Sequence, residues 1–353
     1  MKKLLPFFGI VVLVLAGTAV ALMIGFSQNS PAEEVFVDKT TASYNGKLHV
    51  DGNKILNSHG EEIQLRGISS HGLQWYSELY NSENITQLKK EFNINVFRIA
   101  MYTDPNAGGY IANPALKEKV YELVDACIAL DIYVVIDWHI LNDNNPQTYE
   151  TQAKEFFAEM TTKYADTPNV IYEICNEPNG KEITWEYNVY PYAVNVLGEI
   201  RKNTDALVIV GTPDWSKDLS SAGVKPLSDP NVAYALHFYA GSHNVTLRDS
   251  IDNFRNKGLA VFISECGATD ATGAGELYED AFKRWADYMK NRKLSWIYWS
   301  YSNKDEASAM LEKDYVPDYS AEPELDENGN PIEFSLDPHL TASGKIAKKF
   351  LSN

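Results

Sequence analysis

"VIYEICNEPNG", residues Val170 to Gly180, begins as an apolar, β-branched run and stops at Asn176-Glu177-Pro178. Pro, Asn and Gly end a strand, so a carboxamide and a carboxylate stand where a buried strand emerges. Taken alone, the segment reads equally well as a turn that carries a charge. Seven further runs of the same kind decide the matter: "IQLRGIS", "NVFRIAM", "YVVIDWH", "ALVIVG", "NVAYALHFY", "LAVFISE" and "LSWIYWS". Between them lie amphipathic stretches such as "NPALKEKVYELVDACIAL" and "YEDAFKRWADYMKNR". Continuous apolar runs that alternate with helices describe parallel strands buried on both faces. Eight of them in about 300 residues predict a (β/α)8 TIM barrel rather than an open doubly wound sheet. No G-x-G-x-x-G follows the first run, which removes the main signal for a dinucleotide fold.

In such a barrel, catalytic groups stand at the C-terminal ends of the strands. The first run leads to Ser70-His71, the second carries Arg98 and ends at Tyr102, and the third ends in Asp137-Trp138-His139. The fourth ends in Asn176-Glu177, the sixth in His237-Phe238-Tyr239, the seventh in Ser264-Glu265 and the eighth in Trp299. Only the fifth ends quietly, in Gly211-Thr212. A barrel's mechanical needs do not require polar and aromatic groups crowded on one rim.

Glu177 and Glu265 end the fourth and seventh strands and are expected to face each other across the mouth. Two opposed carboxylates are what hydrolysis of a glycosidic bond requires, one protonated and one ionised. Arg98 is placed to hold Glu265 as an anion, since an opposite charge within about 4–6 Å favours the ionised form. Tyr239 is placed to donate its hydroxyl to the same carboxylate. Asn176 offers an amide hydrogen to a sugar hydroxyl beside the reacting centre, and Trp299 and Trp75 offer flat faces for sugar rings.

Composition bounds the partners. The chain has 353 residues and a net charge of −17, with no basic stripe, which argues against nucleic acid. Cys127, Cys175 and Cys266 are too few and too widely spaced for a disulfide framework. Met1-Lys2-Lys3 precedes an uncharged apolar run from Leu4 to Phe26, read as an export signal or an uncleaved membrane anchor over 1–26. Ala19-Val20-Ala21 offers a cleavage site. Either fate places the rest of the chain outside the cytoplasm. Residues 27–43 read as a polar linker, and 44–353 as the catalytic domain, opened by a short β-hairpin with turns at Asp51-Gly52 and His59-Gly60. A monomer without cofactor is expected.

The motifs "YEICNEPNG", "LHFYAGSH" and "VFISECGATDATG" resemble the signatures of glycoside hydrolase family 5, closest to its bacterial endo-β-1,4-glucanase group. "GISSHGLQWY", "FRIAMYT", "VIDWHILNDNNP" and "WSYSNKDEAS" are similar to that group as well, so the likeness runs from about Lys47 to the end. The resemblance implies a retaining cellulase with Glu177 as acid/base and Glu265 as nucleophile. It implies that Arg98, His139, Asn176, His237, Tyr239 and Trp299 form the shared active-site set. It also implies that His71, Trp75, Tyr102, Lys304 and Glu306 bind glucan on the non-reducing side of the cut. Relatives acting on mixed-linkage glucan, xyloglucan or mannan are the alternative, and an inactive glycan-binding barrel the remote one.

A metal hydrolase built on Asp137, His139 and His237 is disfavoured, because no H-E-x-x-H and no H-x-H on the first strand occur. A serine hydrolase is disfavoured because no G-x-S-x-G occurs. Cys175 and Cys266 flank the catalytic positions and, by strand alternation, should face the helices. The acidic segment Glu312–Pro338 follows the eighth strand and is therefore expected near the cleft, on the product side.

Overall fold

In the computed structural model, residues 38–323 and 325–352 are described. The apolar run over 1–26 and most of the 27–43 linker lie outside the described residues. Among those described, no helix is long and apolar enough to cross a membrane. The compact unit begins at Lys39. Its first helical turn, α1 (Ala42–Asn45), is fastened by Ser43 N–H donating to Asp131 Oδ1 at 2.7 Å.

A hairpin of β1 (His49–Asp51) and β2 (Lys54–Leu56) follows, paired antiparallel with His49 opposite Leu56. Gly52 sits in the turn with φ +59°, where a side chain would be strained.

Eight parallel strands then close into a barrel. They are β3 (Arg66–Ser70), β4 (Val96–Tyr102), β5 (Tyr133–His139), β6 (Val170–Glu173), β7 (Val208–Val210), β8 (Val232–Tyr239), β9 (Val261–Gly267) and β10 (Trp296–Tyr301). β10 pairs with β3 to complete the ring. Every run singled out in the sequence is one of these strands, and the helices fall between them. The one used below is α2 (Ser82–Phe92), between β3 and β4. Asn81 caps the start of α2 by accepting from Asn84 N–H at 2.8 Å, and Asn93 ends it in a left-handed conformation.

Strand alternation divides the core in two. Ile68, Phe97, Ile99, Val134, Ile136, Tyr172, Val208 and Phe238 point outward to the helices. Val96, Tyr133, Val135, Ile171, Leu207, Ala233, Phe262 and Ile297 fill the barrel, with Leu48 and Ile55 of the hairpin packed beneath them. Cys175 and Cys266 belong to the outer layer, as alternation requires, and burial pushes both thiols up.

The acidic segment does not lie where its position after the last strand suggests. Leu311 and Leu340 bridge its two ends, and none of the described residues of 312–338 lines the cleft at the barrel mouth. It packs instead on the outer face of α2. Tyr319 donates to Asn84 Oδ1 at 2.9 Å, Gln87 donates to the Phe334 carbonyl at 2.9 Å, and Leu336 N–H donates to Glu91 Oε1 at 2.7 Å. Asn84, Gln87 and Glu91 are three and four residues apart, so they form one polar face of the helix. That face, not chain adjacency, sets where the segment goes.

Candidate active site

Arg98 is the hub. It lies on β4, points into the barrel and is fully buried. A buried guanidinium needs acceptors for its hydrogens. Its Nε donates to Glu173 Oε2 at 2.7 Å, its Nη1 to Glu265 Oε2 at 3.2 Å, and its Nη2 to Asn176 Oδ1 at 2.7 Å. Asp137 Oδ2 stands 3.0 Å from the same Nη2. Burial works against the positive charge, but Asp137, Glu173 and Glu265 outweigh it and raise the Arg98 pKa. Conversely, burial would lift Glu173, yet Arg98 and His237 hold its carboxyl below the usual range.

Glu265 accepts a second hydrogen bond, from Tyr239 Oη at 2.7 Å. Both of its donors come from strands the sequence reading named. Glu177 has different company. Burial, then the charge of Glu265, raise its pKa, while a hydrogen bond to His237 opposes them. His237 Nδ1 lies 2.9 Å from Glu177 Oε1. One carboxylate oxygen of Glu177, one of Glu265 and one ring nitrogen of His237 all lie within 4.8 Å of one another. The two carboxylates therefore share one small space in unlike surroundings.

His139 is buried and neutral: burial, then Arg98, lower its pKa. Its Nδ1 lies 2.6 Å from Asp137 Oδ2, which fixes a proton there and leaves Nε2 as acceptor toward Asn176 Nδ2 at 3.3 Å. Asn176 also donates to the Ile140 carbonyl at 3.1 Å. Gly211, the quiet end of the fifth strand, has a reason. A Cβ there would sit 2.1 Å from the Cys175 carbonyl, so only glycine lets the Cys175–Pro178 segment pass so close.

A cleft of about 430 Å³ opens above these groups, lined on one side by His71, Tyr102, Trp299, Lys304 and Glu306. Burial, then Lys304, lower the His71 pKa to about 3, so the ring is neutral. Its Nδ1 accepts from Gly72 N–H at 2.7 Å, which leaves Nε2 as the donor. Tyr102 stacks on His71 with ring centres 5.8 Å apart and lies 4.1 Å from His139. Lys304 is ion-paired with Glu306. Trp75 stands beside them, 45% exposed, with its ring 4.9 Å from Tyr102.

These residues include a family signature. The family model for cellulase (glycosyl hydrolase family 5) matches residues 56–305. The chain belongs to glycosyl hydrolase family 5. It is 49% identical over 273 residues to Endoglucanase 5 of Pectobacterium carotovorum subsp. carotovorum, covering 77% of this chain and 54% of that one. It is 51% identical over 253 residues to Endoglucanase A of Evansella cellulosilytica, covering 71% and 51%. The chain spans about half the length of these relatives. Among solved structures, Cellulase Cel5C_n superposes with a TM-score of 0.81 at 38% identity, over 90% of this chain and 96% of that one. The catalytic domain of Thermobifida fusca endoglucanase Cel5A gives 0.79 at 31% identity, over 89% and 100%.

The family 5 chain brings all the predicted residues to one mouth, but in two layers. Arg98 and Asn176 lie beneath the cleft, and Trp75 stands at its edge. Sequence reasoning placed Ser264 at a strand end without a role, and missed Glu173 below and Trp215, Lys217 and His243 on the far wall. Glu173 had a signal: a carboxylate inside a doubly buried strand demands a partner. Trp215 and Lys217 had none, because they belong to an irregular turn. Asp214, Trp215 and Ser216 all adopt positive φ there, and Trp215 N–H donates to the Pro178 carbonyl at 3.1 Å.

Proposed function

We propose that this protein is an endo-acting, retaining β-1,4-glucanase, with Glu177 as acid/base and Glu265 as nucleophile. The observation that carries the reading is the unlike treatment of two close carboxylates. Glu265 takes hydrogen bonds from a guanidinium and a phenol, donors suited to a carboxylate that must attack as an anion. Glu177 is raised by burial and by Glu265, which suits a group that must first hold a proton. One oxygen of each comes within 4.8 Å of the other, which is in keeping with the about 5–5.5 Å between carboxyl groups that a covalent intermediate requires and leaves little room for an intervening water.

In the first step Glu265 bonds to the anomeric carbon, the glycosidic C–O bond breaks, and the leaving oxygen takes the Glu177 proton. In the second, water replaces Glu265 at that carbon and gives a proton to Glu177. His71, Trp75, Tyr102 and Trp299 supply ring faces for the sugars on the non-reducing side, and Lys304 and Glu306 supply polar contacts. The open cleft, rather than a closed pocket, suits attack within a polymer. The names of the relatives, endoglucanases and cellulases, support cellulose-type β-1,4-glucan as the substrate class. The apolar N-terminal run supports a site of action outside the cytoplasm.

The test is product analysis on carboxymethyl-cellulose, barley glucan, xyloglucan, mannan and xylan, with proton NMR of the first product. Fastest cleavage of β-1,4-glucan with the β-anomer first is the expected result. The α-anomer first would overturn retention, and a clear preference for mannan or xyloglucan would overturn the substrate assignment.

A further inference from the structure

Two buried polar side chains, Ser264 and Glu173, have no part in the steps above, yet they sit directly behind His237. Ser264 precedes Glu265 on β9, Glu173 ends β6, and both are fully buried. Ser264 Oγ lies 2.5 Å from Glu173 Oε1 and 3.0 Å from His237 Nε2. Glu173, ion-paired to Arg98 Nε at 2.7 Å, can only accept. The one hydroxyl proton of Ser264 therefore goes to Glu173, and its lone pair must receive a hydrogen from His237 Nε2. That pins one imidazole proton. The other ring nitrogen, Nδ1, faces Glu177 Oε1. When Glu177 is ionised, Nδ1 donates to it; when Glu177 is protonated, a charged ring donates to its carbonyl oxygen and a neutral ring accepts its carboxyl hydrogen at Nδ1.

We infer that Ser264, backed by Glu173, is a positioning residue that pins the Nε2 proton of His237 and so confines proton movement to the His237–Glu177 hydrogen bond. The inference rests on the reading of Glu177 as acid/base. The charged and titratable groups around His237 agree with it. Glu173 and Glu177 face it from β6 and the loop beyond, Glu265 from β9, and Asp137 with neutral His139 from β5; Arg98 on β4 lies behind Glu173. Burial opposes charging the ring, but the carboxylates of Glu173, 3.8 Å from Nε2, and of Glu177, hydrogen-bonded to Nδ1, overcome it and lift His237 to about 10.

Ser264→Ala and Ser264→Thr in the full chain test this, read by imidazole nitrogen NMR and by the pH dependence of kcat/KM on cellotetraose. In the parent protein the Nε2–H signal of His237 should persist to about pH 9. Ser264→Ala leaves that hydrogen facing only Glu173 Oε1 at 3.8 Å, beyond hydrogen-bond reach, so His237 should lose its charge at lower pH. Glu177 then faces a neutral ring, its pKa rises, and the alkaline limb should move up by about one pH unit. Ser264→Thr keeps the hydroxyl and should restore both readouts. Unchanged NMR and pH limbs in Ser264→Ala, or a threonine variant as altered as the alanine one, would overturn the inference. If the parent protein fails to cleave cellotetraose while the NMR behaves as stated, the glucanase reading falls and the positioning role stands.

Discussion

The barrel interior has two halves built on the same strands with opposite chemistry. Toward the N-terminal ends, Val96, Tyr133, Ile171, Leu207, Phe262 and Ile297 fill it with apolar volume. Toward the C-terminal ends, Arg98, Asp137, Glu173, Ser264 and His237 fill it with charge and hydrogen bonds, all at least 98% buried. The strands are continuous through both, as Val96 and Arg98 on β4 show. Backbone pairing therefore does not distinguish the halves; the inward side chain does. The lower half is held by area removed from water, which tolerates changes of shape. The upper half is held by pairing, where losing one member strands the others.

The comparison is broken most severely at the cleft itself. Glu265→Ala should lower turnover by about 10⁴-fold or more, the scale expected when a reacting group is removed. Azide should restore part of it and give the opposite anomer. Equal activity in that variant would remove the nucleophile assignment. Glu177→Ala should slow natural glucans by about 10²–10⁴-fold while sparing substrates with good leaving groups, which need no proton. Equal damage to both substrate types would show that Glu177 is not the acid.

Stability experiments sharpen the contrast between halves. Arg98→Met should destabilise by about 3–5 kcal/mol in denaturant titration, because Asp137, Glu173 and Glu265 lose their shared cation. Ile297→Ala, in the lower half, should cost about 2–5 kcal/mol as a cavity, with kcat/KM per folded molecule unchanged. Loss of activity there in a folded protein would show the halves to be coupled.

The smallest effect is linkage at His237. Its folded pKa of about 10 lies above the unfolded value of about 6.5, so its contribution is complete below pH 6.5. That contribution fades as pH rises toward 10. The parent protein should lose a few degrees of Tm between pH 7 and 10 that His237→Asn does not lose. Parallel curves would mean that His237 is neutral in the folded state.

How much of this was legible in the chain follows from range. The eight strands were readable because burial on both faces writes a continuous apolar run, a local signal. Glu177 and Glu265 were readable because each stands where such a run stops. The Asp137–His139 contact was within reach, two residues apart on one strand. The path of Glu312–Pro338 was not, because it depends on hydrogen bonds to Asn84, Gln87 and Glu91, which lie more than 200 residues earlier. Nor was the Trp215 wall, set by three left-handed residues that no local pattern announces.

The sequence by itself determined the barrel, the family and the pair of carboxylates, since hydrophobic period and strand ends are properties of neighbours along the chain. The sequence also placed Arg98 and Tyr239 as donors to Glu265, and the hydrogen bonds in the fold agree. Tertiary structure alone decided what surrounds Glu177, whose residue type and position at a strand end do not name its partner. The difference between the two carboxylates comes from groups 26 to 167 residues away that closure of the ring brings within 3.2 Å: His237 beside Glu177, and Arg98 and Tyr239 beside Glu265.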